Sequence, residues 1–365
     1  HISYVQLHHG PTLAFKDIAM QVLGGMYEQL LKSENIKINL VTATSGDTGA
    51  AAIDAIKDKK NVNIFVLHPH NKISSVQRQL MTTCDAENVF NIAIKGSFDD
   101  CQKIVKDMFV DQDFANKINM SGVNSINWAR IIAQIVYYFF IYYKFNNSKK
   151  PIVVSVPTGN FGDIYAGYVA KQMGLNIKEL IVATNQNNIL QRCIDTGEYK
   201  PLDVAESISP SMDIQVASNF ERILFYLCNE NAEDLKKLMN DLKTKGYFKL
   251  SKKQLENLRD HFSASSCSED ETLKIIQNIH KKFDYLIDPH TATGVKPLLD
   301  QKYKKEECFC FETAHPSKFP VAILKAINLK PELPENLKLN IKQEEKFIIL
   351  DNNLEVIKEY ISNQI

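Results

Sequence analysis

The run INLVTATSGDTGAAAIDAIKDKKNVNIFVL, residues 38–67, decides the fold. It opens on a β-rich segment, Ile38 to Thr44, and breaks at Ser45-Gly46-Asp47-Thr48-Gly49. It continues as a helix at about Ala50 to Lys57 and returns to a β-rich segment at Val62 to Leu67. A strand, a glycine-bearing loop, a helix and a second strand in this order make a βαβ unit, whose strands are parallel and whose helix covers one face of the sheet.

Outward from this unit the alternation continues. Upstream, Ala14 to Lys32 carries apolar residues at helical spacing. Downstream come a helix at Ser74 to Met81, a strand at Val89 to Ile94 and a helix at Phe98 to Val110. A long helix at about Ile126 to Phe145 leads into a second α/β block: strand Ile152 to Val156, helix Gly162 to Met173 and strand Leu180 to Thr184. From Pro201 to Phe283 the chain reads as charged amphipathic helices, such as Ala232 to Lys245 and Glu271 to Lys282, with few β-rich runs; this is expected to be a helical insertion. Cys308 to Glu312 reads as a buried strand before a helix near Pro320 to Ile327, and Lys330 to Pro334 marks the exit. The pattern predicts an α/β protein with open parallel sheets. Such sheets bind ligands beyond the strand C-termini, so the loops at Ser45, Thr158 and Thr313 are where chemistry is expected.

Composition removes several alternatives. The 43 Lys and Arg balance the 43 Asp and Glu, leaving no net field to hold a nucleic acid or an acidic membrane. Seven scattered cysteines without a C-x-x-C pair fit neither a disulfide framework nor a zinc ribbon, and point to a reducing compartment. The histidines at 8, 9, 68, 70, 290 and 315 never fall at metal-ligand spacing on one helix, so no metal is expected. The longest apolar stretch, Ile131 to Tyr143, falls well short of the roughly 20 residues a bilayer needs and reads as a buried aromatic helix. Ile2 to Gly10 has no targeting pattern.

Four motifs carry the candidate chemistry. Gly159-Asn160-Phe161-Gly162 lies between a strand and a helix, where backbone N–H groups and the positive helix end favour an anion; a plain turn gives the same pattern. Ser45 to Gly49 has the same placement and adds side-chain oxygens, which suits a carboxylate or serves simply as an N-cap through Asp47 or Thr48. Lys16 follows Gly10-Pro11-Thr12-Leu13-Ala14-Phe15 at the opening of a helix, where a cation is disfavoured and a neutral amine, the form needed for imine chemistry, is favoured. Asn124-Ser125 with Asn127 and Arg130 groups hydroxyl, amide and guanidinium donors suited to a phosphoryl oxyanion, or to a capped helix start.

Eight strings together resemble, in order, the motifs of the threonine synthase family. They are Gly-Pro-Thr-Leu-Ala-Phe-Lys-Asp (10–17), Thr-Ser-Gly-Asp-Thr-Gly (44–49), Asn-Ser-Ile-Asn-Trp-Ala-Arg (124–130) and Pro-Thr-Gly-Asn-Phe-Gly-Asp (157–163). Ser-Pro-Ser-Met-Asp-Ile (209–214), Ser-Asn-Phe-Glu-Arg (218–222), Asp-Pro-His-Thr-Ala-Thr-Gly (288–294) and Glu-Thr-Ala-His-Pro-Ser-Lys-Phe (312–319) continue the match, which runs from about Leu7 to Phe319. The resemblance implies the tryptophan-synthase β-like fold (fold type II), with two open twisted parallel-sheet domains. A large domain of residues 1–37 and 122–365 would carry the helical insertion at about 201–285, and residues 38–121 would form a small domain.

The cofactor implied is pyridoxal 5'-phosphate, and the reaction is conversion of O-phospho-L-homoserine and water to L-threonine and phosphate. On the family pattern Lys16 matches the Schiff-base lysine and the catalytic proton carrier. Gly159, Asn160, Phe161 and Gly162 would bind the cofactor phosphate, and Thr313 would face the pyridine nitrogen. Ser45, Gly46, Asp47 and Thr48 match the loop that grips the substrate carboxylate, although related enzymes often carry Asn where Asp47 stands. Asn124, Ser125 and Arg130 match positions that hold the substrate phosphate. The resemblance further implies a cytoplasmic monomer or homodimer with a small-molecule substrate and neither nucleic acid nor membrane as partner. The family carries a separate segment ahead of the Lys16 motif, and only nine residues precede Gly10, so a fragment is expected. A phospho-lyase that releases 2-oxobutyrate, or a non-catalytic binding protein on the same fold, are the alternatives.

Overall fold

The computed structural model describes residues 2–145, 150–299, 303, 306–338 and 342–365. In chain order the strands are β1 (Ile2–Gln6), β2 (Ile38–Ala43), β3 (Val62–Pro69), β4 (Val89–Lys95), β5 (Met120–Ser121), β6 (Ile152–Pro157), β7 (Ile177–Thr184), β8 (Glu198–Tyr199), β9 (Phe248–Lys249), β10 (Phe262–Ser266), β11 (Glu307–Glu312) and β12 (Ile348–Asp351). The helices used below are α1 (Lys16–Glu34), α2 (Asp47–Ile56), α3 (Ser75–Thr82), α4 (Phe98–Val110), α5 (Gln112–Lys117), α6 (Trp128–Phe145) and α7 (Gly162–Gln172).

The chain divides into two compact units. The first comprises residues 1–7 and 130–331; its sheet runs β1-β11-β6-β7-β10, with every pairing parallel. All six residues of β6 are buried, as expected for a central parallel strand covered on both faces. Strand β10 lies within residues 201–283, read from the sequence as a helical insertion with few β-rich runs. Its sequence, Phe-Ser-Ala-Ser-Ser, is too short and polar to announce a strand, yet it pairs with β7 at the sheet edge, where neighbours on one side suffice. A two-stranded antiparallel ribbon, β8 with β9, also lies within this stretch.

Helix α6 corrects the expectation of a buried aromatic helix. Ile131, Tyr137, Tyr138 and Ile141 are buried, but Ile132, Val136, Phe140 and Tyr143 are exposed. Its apolar residues surround the helix while only one face packs, with Tyr138 against Phe311 at 5.0 Å and its hydroxyl donating to the Asp163 carbonyl at 2.9 Å.

The second unit comprises residues 8–129 and 332–365, with sheet order β12-β4-β3-β2-β5, again parallel throughout. The boundaries expected at 37/38 and 121/122 fall inside it. Helix α1 packs on α2, where Gly24 brings the backbones together: a β-carbon there would stand 2.4 Å from the Ala55 carbonyl oxygen. The chain also returns after residue 331 to add β12 beside β4, with the helix Leu354–Asn363 placing Ile357 and Ile361 in the core around Phe65, Leu67 and Met108. Among the described residues no helix is long and apolar enough to cross a membrane.

Candidate active site

In the second unit the loop before α1 is built around Asp17. Its carboxylate accepts hydrogen bonds from the Thr12 N–H (2.9 Å), the Ala14 N–H (3.3 Å) and the Thr12 hydroxyl. A β-carbon on Gly10 would meet Asp17 Oδ2 at 2.5 Å, and Leu13 takes a left-handed φ of 59° to complete the turn. Asp17 thus sets where Lys16, the first residue of α1, projects. Its Nζ lies 3.4 Å from Asp47 Oδ2, with side-chain exposures of 14% and 3%. The helix opening alone favours a neutral amine; the structure also places a carboxylate beside Lys16.

Asp47 opens α2 and does not cap it. The capping residue is Gly46, with φ of 128° and no side-chain cap. The Thr44 hydroxyl takes over, accepting from the N–H groups of Gly46 (3.0 Å) and Gly49 (2.9 Å). That releases Asp47 to face Lys16 and to accept from Gln77 Nε2 at 3.0 Å. Ser45 and Thr48 flank this point, half-buried. Asn124 is exposed, and its Oδ1 accepts from the Ile126 N–H at 3.2 Å; Asn127 does the same for Ala129 at 3.0 Å, so the two asparagines shape the chain entering α6. Ser125 is half-buried.

In the first unit, Gly159 to Gly162 joins β6 to α7. Phe161 adopts the left-handed conformation (φ 64°) and leaves α7 without a side-chain cap, so its first N–H groups face the loop. The loop is braced from behind. The Asn160 carbonyl accepts from Asn219 N (3.1 Å) and Nδ2 (3.2 Å), and its side-chain oxygen accepts from the Ser218 hydroxyl at 3.0 Å. The turn at Pro210–Met212 lies against Gly159. His290 fixes that turn: Nε2 accepts from the Ser211 N–H at 3.2 Å, while Nδ1 lies 2.6 Å from Asp288. Burial pushes the Asp288 carboxyl up, but His290 and Thr291 outweigh it and hold the group below the usual carboxylate range. Thr313 is buried immediately after β11. Arg130 is buried near the start of α6; burial lowers its guanidinium pKa to about 10, so it stays charged at neutral pH.

An uncapped helix N-terminus above a glycine loop, with no room for a β-carbon at Gly159, fits a phosphate-bearing cofactor. Lys16 supplies an amine for a carbonyl. Lys16 and Asp47 meet within one unit, and the 159–162 loop and Thr313 belong to the other. Sequence reasoning passed over Asp17, Thr44, Gln77, Asn219 and His290. All but Gln77 stand inside the quoted motifs, which was the available signal.

Parallel sheets with loops of this kind after β2 and β6 agree with the class that comparison with known proteins shows, pyridoxal-phosphate-dependent enzymes of fold type II. The family described as pyridoxal-phosphate dependent enzyme matches residues 5–235, and that described as threonine synthase, C-terminal, matches residues 291–361. The threonine synthase of Pseudomonas aeruginosa is 43% identical over 360 residues, covering 98% of this chain and 77% of that protein. The threonine synthase of Saccharomyces cerevisiae is 41% identical over 398 residues, covering 99% and 77%. A crystal structure of PLP-bound threonine synthase from Brucella melitensis superposes with a TM-score of 0.94 at 45% identity, covering 98% of this chain and 77% of that one. The chain belongs to the threonine synthase family.

Proposed function

We propose that this chain converts O-phospho-L-homoserine and water to L-threonine and phosphate. The observation that carries the reading is Lys16, an amine set by the Asp17 turn and paired with Asp47 at 3.4 Å. Bound pyridoxal phosphate supplies an electron sink that acidifies the substrate protons.

The residues then divide the work. Gly159, Asn160, Phe161 and Gly162 would hold the cofactor phosphate through backbone N–H groups. Thr313 would offer a hydroxyl to the cofactor's pyridine nitrogen; unlike a carboxylate, it would not hold that nitrogen protonated. The Ser45 and Thr48 hydroxyls grip the substrate carboxylate, with Gly46 and Asp47 contributing to that grip only through their backbone. Lys16 takes and returns the proton at Cα, and Asp47 stabilises the amine in its charged form between these steps. Asn124, Ser125 and Arg130 bind the substrate phosphate and stabilise the charge that develops as it leaves. A Cβ proton is lost as the phosphate leaves Cγ, Cγ takes up a proton to become the methyl group, and water adds at Cβ.

All seven cysteines are free, which supports a reducing, cytoplasmic setting; monomer or homodimer is the assembly we infer. Chromatography of threonine and 2-oxobutyrate against released phosphate tests the reaction, and threonine equal to phosphate is the expected result. Release of mainly 2-oxobutyrate would make the chain a phospho-lyase. Borohydride reduction and peptide mapping should place the pyridoxyl group on Lys16.

A further inference from the structure

We propose that Gln77 is a positioning residue for Lys16, holding the Asp47 carboxylate so that its second oxygen turns toward the amine. The proposal rests on the reading of Lys16 as the cofactor-bearing lysine, and names a side chain outside every motif quoted above.

The geometry begins at the start of α3. Ser74 and Gln77 form a capping box: Ser74 Oγ accepts from the Gln77 N–H at 3.1 Å, and Gln77 Oε1 accepts from the Ser74 N–H at 3.4 Å. Gln77 is 1% exposed, and Nε2 donates to Asp47 Oδ1 at 3.0 Å. The two ends of the amide have different partners, so its orientation is set: oxygen on a backbone donor, nitrogen on a carboxylate. Gly46, with φ of 128°, closes the loop onto this amide; a β-carbon there would stand 2.7 Å from Gln77 Cδ. A buried carboxylate with one oxygen tied to a fixed donor keeps its direction. The other oxygen, Oδ2, is the one that faces Lys16 Nζ.

The titratable groups around this point come from three helices. Lys16 on α1 is followed by Asp17, which is turned to Thr12; Asp47 opens α2. On α3, Arg78 is engaged by Glu345 at 2.8 Å.

The test uses holoenzyme and reads the pH midpoint of the bound cofactor's visible absorbance. Gln77→Met keeps the length and volume of the side chain but removes the donor. It should lower the midpoint by roughly half a pH unit or more, because the Lys16 nitrogen loses an aligned carboxylate. In an Asp47→Asn background the same substitution should add no further shift, since the coupling runs through Asp47. Ser74→Ala should lower the melting temperature without moving the midpoint. Should Gln77→Met fail to fold, Gln77→Asn, one methylene too short to reach Asp47, should show the same shift. An unmoved midpoint with the pyridoxyl group mapped to Lys16 would overturn the role of Gln77 alone. So would an equal shift in the Asp47→Asn background, or a shift in Ser74→Ala as large as that in Gln77→Met. A pyridoxyl group on another lysine would overturn the functional reading and this proposal together.

Discussion

The carbonyl oxygen of Ser211 stands 2.6 Å from where a β-carbon on Gly159 would lie. The loop after β6 is therefore glycine for reasons of space: the backbone of the Pro210–Met212 turn packs against it, and that turn is tied to His290 through the Ser211 N–H. A methyl group at 159 must push the turn away or tilt the loop. Gly159→Ala should lower cofactor affinity by at least about tenfold, equivalent to roughly 1.4 kcal/mol. Absorbance titration of the apo-protein with pyridoxal phosphate measures this. Wild-type affinity would mean that the turn yields without disturbing the phosphate donors.

Arg130 combines burial with a charge that persists at neutral pH, its guanidinium pKa lowered only to about 10. The planar fork can hold two phosphate oxygens at once, whereas an ammonium offers a point charge. Arg130→Lys should reduce kcat/KM at least about tenfold, again roughly 1.4 kcal/mol, with the cofactor still bound. Steady-state kinetics with the absorbance spectrum as a control for loading decides the matter. Unchanged kinetics would transfer the phosphate role to another cation, with the buried Lys318 next in line.

The central alternation of strands and helices was legible because β3 and β6 are mostly apolar, fully buried runs, each followed by a helix. The structure matches the helices expected at Phe98 to Val110 and Pro320 to Ile327. What was not legible lies at the sheet edges. Strands β1, β10 and β12 are short and only partly buried, and their pairing is decided by a neighbour distant in sequence: Cys308 for Ile2, Leu180 for Phe262 and Ile92 for Ile348. The site divides in the same way. Lys16 and the two glycine loops announce themselves by residue type, because only an amine or a small backbone can do their work. Gln77 looks like any capping-box glutamine until folding turns its second atom onto Asp47.

His68, on β3, is 1% exposed and lies 6.3 Å from the Phe347 ring. Burial pushes its pKa from 6.5 to about 4, and the backbone at Pro69 only partly opposes this. The folded chain therefore refuses a proton that the unfolded chain binds throughout that interval. The stability contributed by neutral His68 is fully present above the unfolded value and is lost as pH falls toward about 4, amounting to on the order of 3 kcal/mol. His68→Leu should flatten the dependence of unfolding free energy on pH between 6.5 and 4. Urea unfolding at several pH values checks it, and an identical slope in the variant would place the acid sensitivity elsewhere.

Product identity depends on what happens after phosphate leaves. Elimination is half of the reaction, and threonine forms only if the remaining four-carbon fragment stays in place until one water reaches Cβ. Retention requires a grip on a group that survives the elimination, and the substrate carboxylate is that group. On the proposed reading the loop Ser45 to Thr48 supplies that grip through the half-buried Thr48 at the start of α2, while Thr44 ties the N–H groups of Gly46 and Gly49 and Asp47 is turned to Lys16 and Gln77. Thr48→Val preserves the shape and removes the hydroxyl, so the loop should bind the carboxylate less firmly while leaving the Lys16–Asp47 pair intact. The share of 2-oxobutyrate relative to threonine should rise severalfold, beyond any fall in total phosphate release, because a fragment released early hydrolyses in solution. Chromatography of both products against released phosphate reads this directly. An unchanged ratio alongside a raised KM would mean that the loop binds substrate but does not retain what phosphate leaves behind.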